Sequence, residues 1–356
     1  MSTKIFDVIV VGGGQAALAV GYFLKKAKLD FIILDNQSKP GGAWLHTWDS
    51  LRLFSPAVYS SLPGIMLQPD NTEEGYPHRD DVLAYLDRYE KRYELPVYRP
   101  HHVEQVSRDT LNNCLLVSDG RYQWRANTVA SATGTWSHPF TPHYPGQENY
   151  RGIQRHSAHY RSPEEFSGQR VLVVGGGNSG AQIFAELAEE ADASWVTQSE
   201  PVFLPDDVDG RVLFERATAR LRGNANDAAV GGIGDIVMVP PVKAARDKGL
   251  LHSHRPFSAF TESGVKWPDG SEESIDAVIW CTGFRPALDH LEPLGVVEDD
   301  GQIQVSNGQA RKEPRLWLFG YGDWASPGSA TLIGAARSAK EITPGIIARS
   351  ISGDLR

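Results

Sequence analysis

Two stretches of the chain switch abruptly from one hydrophobic period to another. Residues 8–11, Val-Ile-Val-Val, form a short β-branched run; Gly12, Gly13 and Gly14 follow, and beyond them Leu18, Phe23 and Leu24 fall at helical spacing. Residues 171–174, Val-Leu-Val-Val, repeat the run ahead of Gly175, Gly176 and Gly177, with Ile183, Phe184 and Leu187 as the helical positions. The pattern predicts strand, glycine turn and helix in both places. From Gly12 a further apolar strand, Phe-Ile-Ile-Leu, ends at Asp35; the same count from Gly175 runs through Trp-Val-Thr and lands on Gln198. Residues 118–134 and 268–283 then share an Asp-Gly turn, a polar strand, a buried strand and a closing Thr-Gly. One unit is written twice.

A glycine triplet between a strand and a helix is the setting of a dinucleotide-binding turn. Gly12 and Gly175 would make the tight turn, Gly14 and Gly177 would admit a pyrophosphate, and Ala17 and Gly180 would keep helix and strand close. The helix N-terminus adds unpaired N–H groups for the phosphates, and Gln15, Asn178 and Ser179 at the two helix starts are expected cofactor contacts. Asp35, with Asn36 beside it, suits an unphosphorylated adenosine ribose. The expected fold is therefore α/β, with two Rossmann-like domains in a glutathione-reductase-like arrangement. Residues 1–145 and 285–356 would form a discontinuous FAD-binding domain and residues 146–284 an NAD(P)H-binding domain. The Pro-rich run from Gly134 to Pro145 suits a domain crossing. The last strand and helix would return to the first domain, Asp323 meeting the flavin's ribityl chain and the helix near Thr331 facing the ring.

Length and charge narrow the classes. The chain has 356 residues, room for about two domains. Its 35 basic and 44 acidic side chains include no basic block, which argues against nucleic acid or an anionic membrane as partner. Asp7 sits just before the apolar stretch at residues 8–24, and Gly12, Gly13, Gly14 and Gln15 interrupt it, so neither a signal peptide nor a membrane helix is expected. Two cysteines, Cys114 and Cys281, lie in separate segments. No disulfide framework, zinc site or redox pair is expected, and a cytoplasmic setting follows.

Residues 150–161, "YRGIQRHSAHYR", resemble the fingerprint F-x-G-x-x-x-H-S/T-x-x-Y/F of the flavin-containing monooxygenases, with Tyr150 in the leading position, then Gly152, His156, Ser157 and Tyr160. Gly41 to Trp44 is similar to that family's G-G-x-W segment, Gly42 and Trp44 being expected at the flavin. "YPHRDDVLAYLDRY" resembles the helix that follows it. The match is to small soluble members, and Tyr160 stands where the sister Baeyer–Villiger enzymes carry Trp. The resemblance implies that NADPH or NADH reduces FAD, that a flavin hydroperoxide forms with oxygen, and that a soft nucleophile such as a sulfide takes one oxygen atom, with weak Baeyer–Villiger activity on ketones beside it. It implies small-molecule substrates, oxygen and a homodimer as partners, and no metal. Phe54, His156 and Tyr160 are the residues expected at the catalytic centre, His156 in a positional rather than an acid–base role.

Two positions depart from the family pattern. Phe54 aligns with an Asn that faces the flavin edge, and a phenyl ring donates no hydrogen bond; the alternative activity is an NAD(P)H oxidase or flavin reductase releasing hydrogen peroxide. A cofactor-binding protein without turnover is the rival outside enzymes. Gln198 and Ser199 replace the Arg or acid that sorts the nicotinamide nucleotides, which predicts relaxed choice between NADH and NADPH. Glu200 would favour NADH if turned inward, and Arg151, Arg155 or a more distant Arg would serve a 2′-phosphate. Trp44, Trp48 and Trp324 are candidates for the flavin site or the core, and Cys281 for packing. Residues 205–255 break the duplication, as an access loop or as a tolerated insertion. With Phe54→Asn, the ratio of oxygenated product to hydrogen peroxide per NADPH consumed is expected to rise; an unchanged ratio removes Phe54 from the coupling of oxygen to substrate.

Overall fold

The structure, a computed structural model, describes residues 4–68, 76–210, 212 and 235–353. The chain opens with β1 (Ile5–Val11), in which Val8, Ile9, Val10 and Val11 are buried. A continuous β-branched run is what a parallel strand covered on both faces requires. Next come α1 (Gln15–Lys26), β2 (Phe31–Leu34), α2 (Arg79–Arg92) and β3 (Val97–Tyr98). Asp81 fixes the start of α2 by accepting from the His78 backbone N–H at 2.8 Å. An antiparallel meander follows, β4 (Gln105–Asp109), β5 (Cys114–Ser118) and β6 (Gln123–Ser131), and the far half of β6 runs parallel to β1.

The second unit repeats this plan. It contains β7 (Ile153–His156), β8 (Arg170–Val174), α3 (Asn178–Glu190), β9 (Asp192–Val196), α4 (Pro240–Asp247) and β10 (Ser253–His254), then a meander of β11 (Ala259–Phe260), β12 (Gly264–Lys266) and β13 (Glu272–Ser274), and finally β14 (Ala277–Trp280). Its sheet order is β10-β9-β8-β14-β7, all parallel. In the first unit β3-β2-β1-β6 are the matching parallel strands. The chain then returns to the first sheet through β15 (Val305–Ser306), β16 (Gln309–Ala310) and β17 (Leu316–Leu318), the last parallel to β6, and ends in α5 (Leu332–Gly353) against α1.

Each sheet buries both faces. Val8, Val10 and Ile33 pack beneath α1, α2 and α5, while Ile9, Val11, Ile32 and Leu34 face the meander and the segment around Leu291. In the second unit Val171 and Val173 lie under α3 and α4, and Leu172, Val174 and Trp280 meet Phe257, Phe260 and Val265. Much of the break expected over residues 205–255 closes in the structure, because Ile236 to Val239 are buried and lead into α4 and β10. Residues 211 and 213–234 of that stretch lie outside the described residues. No helix among the described residues is long and apolar enough to cross a membrane.

Two strands of chain join the units. Residues 134–140 and 283–287 run antiparallel: Phe140 N–H donates to Gly283 O at 2.9 Å, Arg285 N–H to His138 O at 2.8 Å and Ala287 N–H to Gly134 O at 2.9 Å. Trp136 stacks on Phe284 with centroids 4.9 Å apart.

A buried polar cluster ties the end of β6 to the returning chain. His290 Nε2 lies 2.9 Å from Ser131 Oγ, which is 2.5 Å from the Tyr321 hydroxyl; that hydroxyl is 2.6 Å from Thr133 Oγ1. Burial holds His290 neutral, with His102 adding to the effect and Asp289 opposing it, and its pKa falls to about 4 from the ordinary 6.5. A histidine depressed on folding contributes stability that is complete above about pH 6.5 and is lost as pH falls toward 4. The expected loss across that window is about 3 kcal/mol. Urea unfolding of the protein and of His290→Gln at pH 7 and at pH 5 checks this: the substitution should flatten that part of the pH dependence.

Candidate functional site

The first glycine of each triplet presses its turn against a carbonyl from the neighbouring strand. Gly12 has φ +103°, and a methyl group there would stand 2.5 Å from Ala132 O; Gly175 has φ +136°, and a methyl would stand 2.2 Å from Cys281 O. Both carbonyls belong to the closing Ala-Thr-Gly and Cys-Thr-Gly, so the sequence repeat is also a repeat of contacts. Gly14 and Gly177 are extended N-caps of α1 and α3, and neither helix has a side-chain cap. The leading N–H groups are thus left for an anion, and the space around Gly177 is open. Ala17 is fully buried under its strand, and a methyl on Gly180 would meet Gly175 O at 2.1 Å. The residues present fit a dinucleotide pyrophosphate in both units.

At the first turn, a methyl on Gly13 would lie 2.3 Å from Asp35 Oδ2, so only glycine leaves room for the acid. Asp35 is buried; its Oδ2 accepts from Arg99 Nε at 2.6 Å and its Oδ1 from Gln37 N–H at 3.3 Å. The Arg99 guanidinium also grips both oxygens of Glu90, at 2.7 and 2.8 Å. Asn36 is exposed, and its Oδ1 accepts from Gln37 Nε2 at 2.7 Å.

Above α1, Trp44 Nε1 donates to Gln15 Oε1 at 2.9 Å and Gln15 Nε2 donates to Ala330 O at 2.8 Å, which fixes the Gln15 amide between three segments. Gly42 packs directly over Gly14. Thr331 caps α5, its Oγ1 accepting from Gly334 N–H at 3.1 Å, while the exposed Asp323 accepts from Gly328 N–H at 2.8 Å and braces its own loop. Gln15 thereby joins Trp44 to the segment that leads into Thr331, with Gly42 lying over Gly14.

In the second unit three of the expected residues have surroundings that the sequence did not show. Asn178 Nδ2 donates to Asp235 O at 2.9 Å and its Oδ1 accepts from Val237 N–H at 2.9 Å. That amide is consumed by the backbone, so Asn178 pins the residues 235–237 segment beside the turn rather than offering its side chain to a cofactor; Ser179 is exposed. The count that ended on Gln198 slips by one residue. Val11 pairs with Leu34, and Val174 pairs with Val196, so Thr197, not Gln198, is the counterpart of Asp35. The physical reason is a shorter connection: Ala191 alone separates α3 from β9, whereas residues 27–30 separate α1 from β2. Gln198 and Ser199 are exposed one and two positions further on. The charge at this corner comes instead from Arg255, whose guanidinium donates to Thr197 Oγ1 at 2.8 Å and Thr197 O at 3.1 Å and pairs with Glu200.

The third is Tyr160. Its ring is fully buried among Trp48, Phe166 and the core under α3, and its hydroxyl donates to Glu186 Oε2 at 3.2 Å. Burial and the Glu186 carboxylate hold it protonated, so Tyr160 positions α3 rather than touching a substrate. His156 is also buried: Nδ1 accepts from Ala158 N–H at 3.1 Å, which leaves the proton on Nε2 for Gly283 O at 3.0 Å. Burial keeps it below its ordinary pKa, and its bond holds the inter-unit crossing. Phe54 is half-buried; its carbonyl accepts from Gly210 N–H at 2.8 Å, and its ring lies against Gly210 and, with Leu51 and Tyr76, against the second unit's core.

Residues 46–52 are a strut that the sequence did not reveal. Ser50 Oγ donates to Glu186, and Arg52 exchanges backbone bonds with the Gln182 amide, both at 3.4 Å. Asp49 N–H donates to Arg161 O at 3.3 Å, and the Arg161 guanidinium donates to His46 O. The segment carrying Trp44 is thereby bonded to the helix whose start forms the second turn. Burial raises the Cys281 thiol to about 12, which makes it packing; Cys114 sits in the other sheet, so the chain has no redox pair. No cluster of metal-ligating side chains exists among the described residues.

Residues 9–213 match the model of the pyridine nucleotide-disulphide oxidoreductase family. The flavin-containing monooxygenase from Stenotrophomonas maltophilia is 50% identical and superposes with a TM-score of 0.88, covering 97% of this chain and 99% of that one. The oxidoreductase CzcO of Bacillus velezensis is 32% identical over 95% of this chain and 98% of its own. Indole-3-pyruvate monooxygenase YUCCA1 of Oryza sativa subsp. japonica is 26% identical over 80% of this chain and 78% of its own.

Asn178→Ala should release the residues 235–237 segment while sparing the first unit. Loss of two amide hydrogen bonds, about 1–2 kcal/mol, is expected to weaken NADP⁺ binding about tenfold. Titration by tryptophan fluorescence, with flavin content measured alongside, checks both halves.

Proposed function

The chain belongs to the pyridine nucleotide-disulphide oxidoreductase family and, within it, stands with the flavin-containing monooxygenases; on that premise we propose that it holds FAD in the first unit and NADPH or NADH in the second, and oxygenates soft nucleophiles, turning a sulfide into a sulfoxide, with ketones as minor Baeyer–Villiger substrates. The observation that carries this reading is the pair of uncapped helix starts, one in each unit, joined by the strut that runs from Trp44 to α3. When bound, FAD supplies the two-electron and oxygen chemistry and the nicotinamide nucleotide supplies the hydride.

The protein's part is placement and exclusion of water. The α1 start takes the flavin dinucleotide's pyrophosphate, Asp35 the adenosine ribose, and Gln15, Trp44, Asp323 and Thr331 the flavin side. The α3 start and Ser179 take the second pyrophosphate. His156 acts as a neutral clamp on the crossing and moves no proton. Phe54 supplies an apolar wall with no hydrogen-bond donor, the feature that favours peroxide release as the competing outcome. The exposed Gln198 and Ser199 impose no charge of their own on the ribose of the nicotinamide nucleotide, in keeping with use of both forms. No buried cysteine pair stands near either turn, which sets the chain apart from the disulfide-reducing chemistry in its family's name.

A product balance tests the reading: NADPH or NADH consumed in air with methyl phenyl sulfide present, against sulfoxide and hydrogen peroxide formed. Sulfoxide as a substantial fraction of cofactor consumed is the expected result. Peroxide as the sole product with every substrate offered would replace it with an NAD(P)H oxidase.

A further inference from the structure

The duplication extends to a pair of arginines that no motif joins. Leu34 pairs with Tyr98 between β2 and β3, and Val196 pairs with His254 between β9 and β10. The next residue on each strand is therefore equivalent: Asp35 and Arg99 in the first unit, Thr197 and Arg255 in the second. Both arginines bond their counterpart, Arg99 Nε to Asp35 Oδ2 at 2.6 Å and Arg255 to Thr197 Oγ1 at 2.8 Å. The middle glycine of each turn faces the same corner, Gly13 toward Asp35 and Gly176 toward Thr197 Cγ2.

What differs is the charge that surrounds the guanidinium. In the first corner Arg99 is enclosed by two carboxylates, Asp35 and Glu90, with side-chain exposures of 3% and 16%. The cluster carries a net negative charge and has no cation to offer a phosphate. In the second, Arg255 meets a neutral hydroxyl, and the carboxylate it pairs with, Glu200, has a side chain 78% exposed. A phosphate displaces such a surface partner at little loss, because an exposed ion pair contributes little. A guanidinium then binds the phosphate through paired N–H groups.

Resting on the assignment of FAD and nicotinamide nucleotide to the two units, we infer that these two corners are one selector in two settings. The Asp35–Arg99–Glu90 cluster admits a dinucleotide with a free 2′-hydroxyl, Arg99 acting as a positioning residue that holds Asp35 for the ribose. The Thr197–Arg255 corner admits a 2′-phosphate as well, with Arg255 the residue that touches it and Glu200 occupying the guanidinium when the hydroxyl form binds. Relaxed nicotinamide choice then resides in Arg255 and Thr197 rather than in Gln198 and Ser199.

The test measures binding to the holoenzyme, with NADP⁺ and NAD⁺ as probes and tryptophan fluorescence or calorimetry as the readout. Arg255→Gln should weaken NADP⁺ by about tenfold or more and leave NAD⁺ nearly unchanged. Thr197→Asp, which rebuilds the first corner in the second, should shift the ratio in the same direction. Arg255 is exposed, so its variant reads the ratio independently of any effect of Thr197→Asp on the buried strand end. In Arg99→Gln, dilution should release FAD about tenfold faster, followed by flavin fluorescence, with the NADP⁺ to NAD⁺ ratio unmoved. NADP⁺ and NAD⁺ weakening in parallel in both second-unit variants, or FAD retention in Arg99→Gln equal to the parent, overturns the selector while leaving the functional reading in place. A parent protein that carries no FAD and binds neither nucleotide overturns both.

Discussion

The fold depends on a close approach that only a missing side chain allows. At Gly12 and again at Gly175, the turn after the first strand of each unit lies against the carbonyl that ends the strand beside it, leaving no room for a Cβ. That contact sets how tightly β1 meets β6 and β8 meets β14. It thereby aims the starts of α1 and α3, whose unpaired N–H groups are what each unit presents to an anion. The strand ends that bring Asp35 to Arg99 in one sheet and Thr197 to Arg255 in the other follow from the same register.

The units are held to each other by polar contacts and by an apolar seam in which Trp48, Leu51, Phe54 and Tyr76 pack against the second unit's core. His156 clamps the crossing through Gly283, and Gln182 and Glu186 on α3 bind residues 50–52. Such bonds are directional, so they fix a relative placement without requiring large burial. Within the apolar seam the Phe54 ring rests on Gly210. Trp44 and the second turn thus lie on one continuous line of bonded segments, through Ser50, Glu186 and α3.

Much of this was legible because local chemistry and tertiary demand agree. The β-branched runs, the glycine triplets and the Thr-Gly closures each have a local signature, and Asp35 follows directly from its strand. Arg99 and Arg255 were not legible. They follow two-residue strands with no periodicity of their own, and their partners stand 64 and 58 residues away in the chain. Counting from the glycines missed Thr197 by one, because loop length between a helix and a strand is set by packing and not by the motif. The motif residues Asn178 and Tyr160 were recognisable by position, but what their polar atoms bond depends on segments from elsewhere, residues 235–237 for one and Glu186 for the other.

The paired crossing makes the molecule one unit nested inside another. Because Phe140 and Gly283 are hydrogen-bonded neighbours, everything between them leaves and rejoins the first unit at a single point, as a cargo spliced into one surface loop. The outer unit keeps its own sheet, with β1 to β6 before that splice and β17 after it. The backbone neck between the two units is two strands wide. Swapping the inner unit for that of a relative asks that these two strands still pair and that Ser50, Arg52 and Phe54 again find partners on the incoming unit.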